Sequence, residues 1–407
     1  MQFRSGEWLI SSRVRAYSIM LLVASLVAAI VWIALAQDLI DRSGKPIGTD
    51  FSNVWSAGTL VLDGEPAAPY DPVRQHEAEK QAFGGRDVPF YGWHYPPLFL
   101  MIAAVLALLP YGWALAAWMA VTLPAYLAVM RLIVRRPETI LVAMAFPAVF
   151  INLGHGQNGF LTAALLGGGL LLLDRRPIVA GILIGSLAYK PQFGLLIPLV
   201  LMATARWRVI VSAAATVLTA SAATVVLFGS QVWLAFAESL TFTRVVVLEA
   251  GDTGWEKIQS LFSAVRMWGG TVEIAYAAQG ALVIFVVASL VWLWRGPADD
   301  RLKAAALPCA CLLATPYVLD YDLVVLALPI GFLASYGLAR GFRDYEISIL
   351  AFAWLAPLAS RSLAGATGLP LGLMAILALY LTTLSRAAAD TASARMQPAR
   401  AFQLRAP

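Results

Sequence analysis

One carboxylate stands out as a candidate for chemistry: Asp50, in the segment Gly48-Thr49-Asp50-Phe51-Ser52-Asn53-Val54-Trp55-Ser56-Ala57-Gly58, shortly after the first long apolar stretch ends. An acid at the boundary of water and lipid, followed by an aromatic-rich helix able to lie in that interface, suits proton removal from a polar acceptor that meets a lipid-borne donor. The plain alternative is a helix cap, because Asp is favoured at helix starts.

Four further polar groups interrupt an otherwise apolar chain. They are Asn152 to Gly159, with His155, Gln157 and Asn158; Lys190-Pro191-Gln192; Gln259-Ser260 with Arg266; and Thr315 to Asp322, with Asp320, Tyr321 and Asp322. His94, in Trp93-His94-Tyr95-Pro96-Pro97, adds an imidazole. Polar groups at membrane depth are costly unless they face one another or a wet cavity, so a shared site is one reading. Each group also has a structural reading. His155, Gln157 and Asn158 can satisfy a Gly-bounded turn. Lys190 can snorkel, Arg266 can hold a lipid phosphate, His94 can anchor at the interface, and Asp320 and Asp322 can be loop acids. Pro191 favours a bent, cavity-facing helix end at Lys190.

The elements that must position these groups are membrane helices. Of 407 residues, 60% are apolar and 13% charged, and the repeated apolar stretches with short Arg-bearing joints fit a helical bundle, not an alternating barrel pattern. The fold expected is an all-α, polytopic transmembrane bundle in a single unit over residues 1–384. Arg4, Arg13 and Arg15 precede an apolar run ending Ala34-Leu35-Ala36, which resembles a signal-peptidase site. Its length reads instead as an uncleaved anchor with a cytoplasmic N-terminus. Cys309 and Cys311 lie within one apolar segment and read as packing residues.

About twelve spans are expected, near residues 16–36, 112–131, 138–152, 159–173, 177–189, 193–206, 208–228, 272–294, 304–317, 322–339, 345–359 and 369–384. Leu98 to Leu109, flanked by Pro96-Pro97 and Pro110, is too short to cross and reads as re-entrant or interfacial. That choice puts most of the 29 basic residues in short inner loops and most acids outside, with both termini cytoplasmic. Two external loops follow, 37–111 and 229–271. The first is expected to hold an interfacial helix from Thr49 to Leu62 and a polar helix from Pro72 to Phe83, closed by Gly84-Gly85. Residues 385–407 read as a flexible basic cytoplasmic tail. All four polar groups fall on the same face as Asp50.

Taken in order, these residues resemble glycosyltransferase family 87. The likeness rests on Asp50 with its aromatic and small-residue helix, Tyr95-Pro96-Pro97, Gly156-Gln157-Asn158, Lys190-Pro191, Gln259-Ser260 with Arg266, and Pro316 to Asp322, over about residues 16 to 340. It implies a GT-C-type membrane fold and sugar transfer from a polyprenyl-phosphate donor, with mannosyltransferases among the members. It also implies Asp50 as the base and Lys190 facing the donor phosphate. Trp55 stands where a Tyr is common, and Tyr321-Asp322 replaces a His pair of actinobacterial relatives.

The chemistry holds together on its own terms. Asp50 would take the acceptor's proton, while Lys190 and Arg266 would neutralise the leaving phosphate. No carboxylate cluster has metal spacing, so transfer without a metal or other cofactor is expected, with inversion by the family's pattern. His94, His155, Gln157, Asn158, Gln192, Gln259, Asp320, Tyr321 and Asp322 are the expected substrate contacts. The partners expected are a polyprenyl-phosphate-linked sugar, a lipid or glycan acceptor and membrane lipids, with no nucleic acid. A non-enzymatic lipid or saccharide transporter is the main rival, but no inverted repeat is visible. A polymer ligase using undecaprenyl-diphosphate-linked glycans would need more external cations than Arg244, Lys257 and Arg266 in the second loop.

Overall fold

The computed structural model describes residues 2–403, with side chains described for 2–392. The described chain is helical, with isolated β-bridges and no strand. Among the described residues, seven helices are long and apolar enough to cross a membrane: Ser11–Ala34, Tyr111–Ile133, Trp207–Phe228, Gln231–Glu249, Val272–Arg295, Asp320–Arg340 and Leu371–Ala392. A bent pair, Glu346–Leu358 and Ser360–Thr367, breaks by 76° and forms an eighth if counted as one span. Ser11–Ala34 is apolar all round and almost wholly uncovered by protein, which only lipid can satisfy. The chain is a membrane protein.

Not all of the twelve expected spans form single helices of that length, for a local reason. Prolines and glycines cut several apolar stretches into pieces below the roughly 17 residues needed to cross. The stretch 138–152 becomes Thr139–Met144 and Pro147–His155, and Gly159–Leu172, Pro177–Tyr189 and Pro191–Ala203 are short apolar helices. The expected second loop also differs, because Gln231–Glu249 within it is a 19-residue apolar helix. Its last turns, Thr243–Glu249, have π-helical winding. Leu98 to Leu109 forms a short 3-10 turn and the helix Leu100–Ala107, neither long enough to span.

Small residues set the closest packing. Gly181 and Gly185, a GxxxG pair on Pro177–Gly185, lie against Val209, Ser212 and Ala213 of Trp207–Phe228. A Cβ at Gly185 would stand 2.6 Å from the Ala213 carbonyl oxygen, so the two backbones touch. Cys309 and Cys311 are fully buried free thiols in the main core.

The first loop has its own core. Phe51–Leu62 packs on Leu100–Ala107, where a Cβ at Gly58 would fall on the Ala103 carbonyl. Phe51, Tyr95, Phe99, Trp118 and Tyr189 join this module to the spans behind it. Pro72–Ala82 starts at Asp71, whose carboxylate accepts from the Val73 and Arg74 amides, and ends before Gly84 and Gly85, both at positive φ.

Over its described part, the segment expected as a flexible tail after Ser385 is helical, since the helix from Leu371 runs on to Gln403. Arg386 within it is buried and bonds both Glu346 carboxylate oxygens at 2.9 Å, which fixes this segment against Glu346–Leu355. The side chains of 393–403 and residues 404–407 lie outside the described residues.

Candidate functional site

Asp50 occupies the N-cap position of Phe51–Leu62 but makes no capping hydrogen bond. Its carboxylate is turned the other way. Oδ2 accepts from Gln157 Nε2 at 2.9 Å, and Oδ1 lies 3.4 Å from both Thr49 Oγ1 and His155 Nδ1. Thr49 Oγ1 and His155 Nδ1 are 2.7 Å apart, which closes a triangle around that oxygen. Gly156 makes this meeting possible. It ends Pro147–His155 in the left-handed conformation, and a Cβ there would stand 2.6 Å from Phe51 Cβ.

Gln157 is held in turn from behind, its Oε1 accepting from Tyr95 hydroxyl at 3.1 Å and the Asn158 amide at 3.0 Å. With its oxygen so occupied, the amide nitrogen must face Asp50. Burial alone would raise the Asp50 carboxyl. Lys257, His155 and the Gln157 bond outweigh it and hold the acid well below the usual carboxylate range. Asp50 is therefore an enclosed acid whose surroundings favour its carboxylate form.

Asn158 continues the network to Lys190. Lys190 Nζ donates to Asn158 Oδ1 at 3.0 Å and to Asp322 Oδ1 at 2.5 Å, with the Lys190 and Asp322 side chains 5% and 2% exposed. Asp322 Oδ2 accepts from the Leu319 amide at 3.1 Å. The ammonium also lies 5.4 Å from the ring centres of Phe193 and Tyr321. Lys190 thus closes a buried ion pair with Asp322 and does not snorkel to the headgroups.

Two cations that the sequence reading did not select stand on the same side. The segments 257–259 and 318–320 pair by backbone: Gln259 N donates to Val318 O at 2.6 Å, and Asp320 N to Lys257 O at 3.0 Å. This sets Lys257 Nζ 5.9 Å from the Tyr321 ring centre, close enough to Asp50 and Asp320 for its charge to act on both. From the short helix after the 76° break, Arg361 Nη1 lies 3.8 Å from Asp320 Oδ2. Its side chain is 48% exposed while that of Asp320 is 4% exposed. Tyr321 lies among these groups, with its ring also 5.5 Å from that of His155. Nothing in the spacing of Lys257 or Arg361 marked them, since their place depends on pairing and bending remote in sequence.

Most of the other expected site residues are engaged elsewhere. Arg266 bonds the Gly270 and Glu249 carbonyls at 2.7 and 3.2 Å and stacks on Trp255, and no contact from it reaches Asp50 or Lys190 among the described residues. It closes a loop, a role that its position at the end of Leu261–Met267 allows. Gln259 turns its amide back to the Glu256 carbonyl at 2.8 Å. Gln192 is half-buried, with no side-chain partner among the described residues. His94 meets Thr243 Oγ1 at 2.8 Å and the Tyr317 ring. Burial pushes its imidazole down to about 4 against the opposing charge of Asp50, so it is neutral.

Behind Asp50 a second acid is hidden. Glu79 on Pro72–Ala82 is fully buried, accepting from the Tyr91 amide at 3.0 Å and from Gln75 Nε2 at 3.5 Å. Burial pushes its carboxyl up to about 8 despite these bonds, and the charge of Asp50 adds to the rise. By contrast, a groove of about 570 Å³ between Val272–Arg295 and the C-terminal helix is lined by apolar residues and Ser289 and Ser385, and shares no residue with this cluster.

No curated protein and no solved structure matches the chain. A family model does, over residues 93–316, more than half of the chain. That span includes His94, His155, Gln157, Lys190 and Lys257, while Asp50, Asp320, Asp322 and Arg361 lie beyond its ends and are joined to it by the contacts above. The matched family is glycosyltransferase family 87, and this chain, a membrane glycosyltransferase, belongs to it.

Proposed function

We propose that the protein transfers a hexose, mannose by the family resemblance, from a polyprenyl-phosphate carrier to an acceptor hydroxyl on the external face of the plasma (inner) membrane, with Asp50 as the general base. The observation that carries this reading is the Asp50 carboxylate itself. It is buried, turned away from its own helix and fixed by Gln157, whose orientation is set by Tyr95 and Asn158.

In this reading the acceptor oxygen attacks the anomeric carbon from the side opposite the phosphate, and the configuration inverts. The bond from that carbon to the phosphate oxygen breaks, and its electron pair leaves with the phosphate. The acceptor proton passes to Asp50 and later to water. A carboxylate held so strongly ionised is a weak base at rest, but the hydroxyl becomes acidic as its oxygen bonds to carbon, so a late proton transfer suits it. Lys190 acts structurally here, holding Asn158 and Asp322 and, through Asn158, the orientation of Gln157.

The test is transfer of radiolabelled mannose from polyprenyl-phosphate mannose by full-length protein in lipid nanodiscs. Asp50→Asn keeps the shape and loses the base, and should lower kcat by roughly 10²–10⁴-fold, the usual worth of a positioned base. Transfer by Asp50→Asn at the wild-type rate, or none by wild type from any polyprenyl-phosphate sugar, would sink the assignment.

A further inference from the structure

We infer that Lys257 and Arg361, not Lys190 or Arg266, form the seat for the donor's phosphate, at the mouth of the cluster over Asp320. The inference rests on the transfer reading above for the identity of the anion. It begins with which charges are already satisfied. Lys190 is sealed against Asp322 at 2.5 Å with both side chains at or below 5% exposure, so an incoming anion would have to open that pair. Arg266 is spent on two carbonyls and a Trp ring.

Lys257 and Arg361 differ on both counts. Lys257 acts through its charge on both Asp50 and Asp320 and closes no ion pair among the described residues, while Arg361 pairs with Asp320 alone. The Arg361 contact is long, 3.8 Å, and about half of its side chain is open. No hydrogen bond from its guanidinium is formed among the described residues, which leaves a planar fork of donors, the geometry that suits phosphate oxygens. Asp320 beneath is almost fully covered, so it pairs with Arg361 and feels the charge of Lys257 without offering its own charge outward.

The placement also links binding to chemistry. Lys257 is the largest charge holding Asp50 ionised. A phosphate seated on Lys257 shares that charge, relaxes its hold on Asp50 and makes the carboxylate a stronger base when the donor is present. Leaving-group stabilisation and base strength would then pass through one side chain.

The probe is a long-chain polyprenyl phosphate without sugar, titrated into full-length protein in zwitterionic nanodiscs, with phosphatidylglycerol as a second arm. Wild type should bind the polyprenyl phosphate and be little affected by phosphatidylglycerol. Lys257→Gln and Arg361→Gln should each weaken binding about tenfold or more. Arg361→Lys should recover part of the loss, which a misfolded variant would not do. Arg244→Gln, removing an exposed cation near the end of Gln231–Glu249 that pairs with Glu249 at 3.7 Å, should bind as wild type. Unchanged affinity in both Gln variants, equal binding of phosphatidylglycerol, or no binding by wild type overturns the inference. The base assignment is judged separately, since Asp50→Asn should bind the phosphate while failing to transfer sugar.

Discussion

Lys190 and Asp322, separated by 132 positions in the sequence, meet at 2.5 Å in a nearly solvent-free interior, and Asn158 supplies the lysine's other hydrogen bond. The pair fastens the end of Pro177–Tyr189 to the start of Asp320–Arg340. Its value lies in position more than in energy, because charges removed from water regain little more than their desolvation cost.

Removing one partner should therefore be costly. Lys190→Met or Asp322→Leu alone leaves an uncompensated buried charge and should destabilise by about 3–5 kcal/mol. Lys190→Met with Asp322→Leu should recover most of that loss. Thermal unfolding of the nanodisc-embedded protein, followed by intrinsic Trp fluorescence, compares the three. A double variant less stable than either single one would show that the pair is not the unit described.

Glu79 gives a pH dependence of defined sign. Its carboxyl, ordinarily near 4.5, is raised to about 8 in the fold, first by burial. The stability it contributes is fully present below the ordinary value and is lost as pH rises toward about 8, because only the unfolded chain releases the proton easily across that window. Glu79→Gln should equal wild type at pH 4.5 and exceed it at pH 8, by on the order of 2–5 kcal/mol. Parallel stability curves for the two proteins between these pH values would contradict the assignment.

Gly58 tests the seating of the Asp50 helix. A methyl group there meets the Ala103 carbonyl and Ala107 Cβ, so Gly58→Ala must push Phe51–Leu62 away from Leu100–Ala107. The expected cost is about 1–3 kcal/mol of stability. Misplacement of Asp50 should also lower transfer by on the order of 10²-fold. Steady-state kinetics with kcat and KM resolved provide the check, kcat carrying most of the loss. Wild-type kcat in Gly58→Ala would mean that Asp50 is positioned by Gln157 alone.

The sequence made the class of the protein plain, because composition and helix-length apolar runs leave no other solvent for Ser11–Ala34 or Val272–Arg295. Asp50, Gln157 and Asn158 were also legible, since polar residues bounded by Gly at helix ends are few in such a chain. The span count was not, because an apolar run of 10–14 residues reads the same whether it crosses or packs inside. Charge partners were hidden as well. That Lys190 would be neutralised by Asp322 while Lys257 stayed open depends on contacts 132 and 63 positions apart in sequence. Spacing within a segment carries no trace of them.

The backbone pairing of 257–259 with 318–320 makes the loop that carries Lys257 and the turn that carries Asp320 and Asp322 one mechanical piece. In the transfer reading proposed above, a lipid-linked donor comes in from the bilayer, past this loop. A swing of the loop cannot be private to it. Turning about Gly251 and Gly254, both at positive φ, it would drag Asp320 with it and pull on the lysine clasped by Asp322. Any displacement of the loop is therefore felt at the Lys190–Asp322 pair as well as at Lys257.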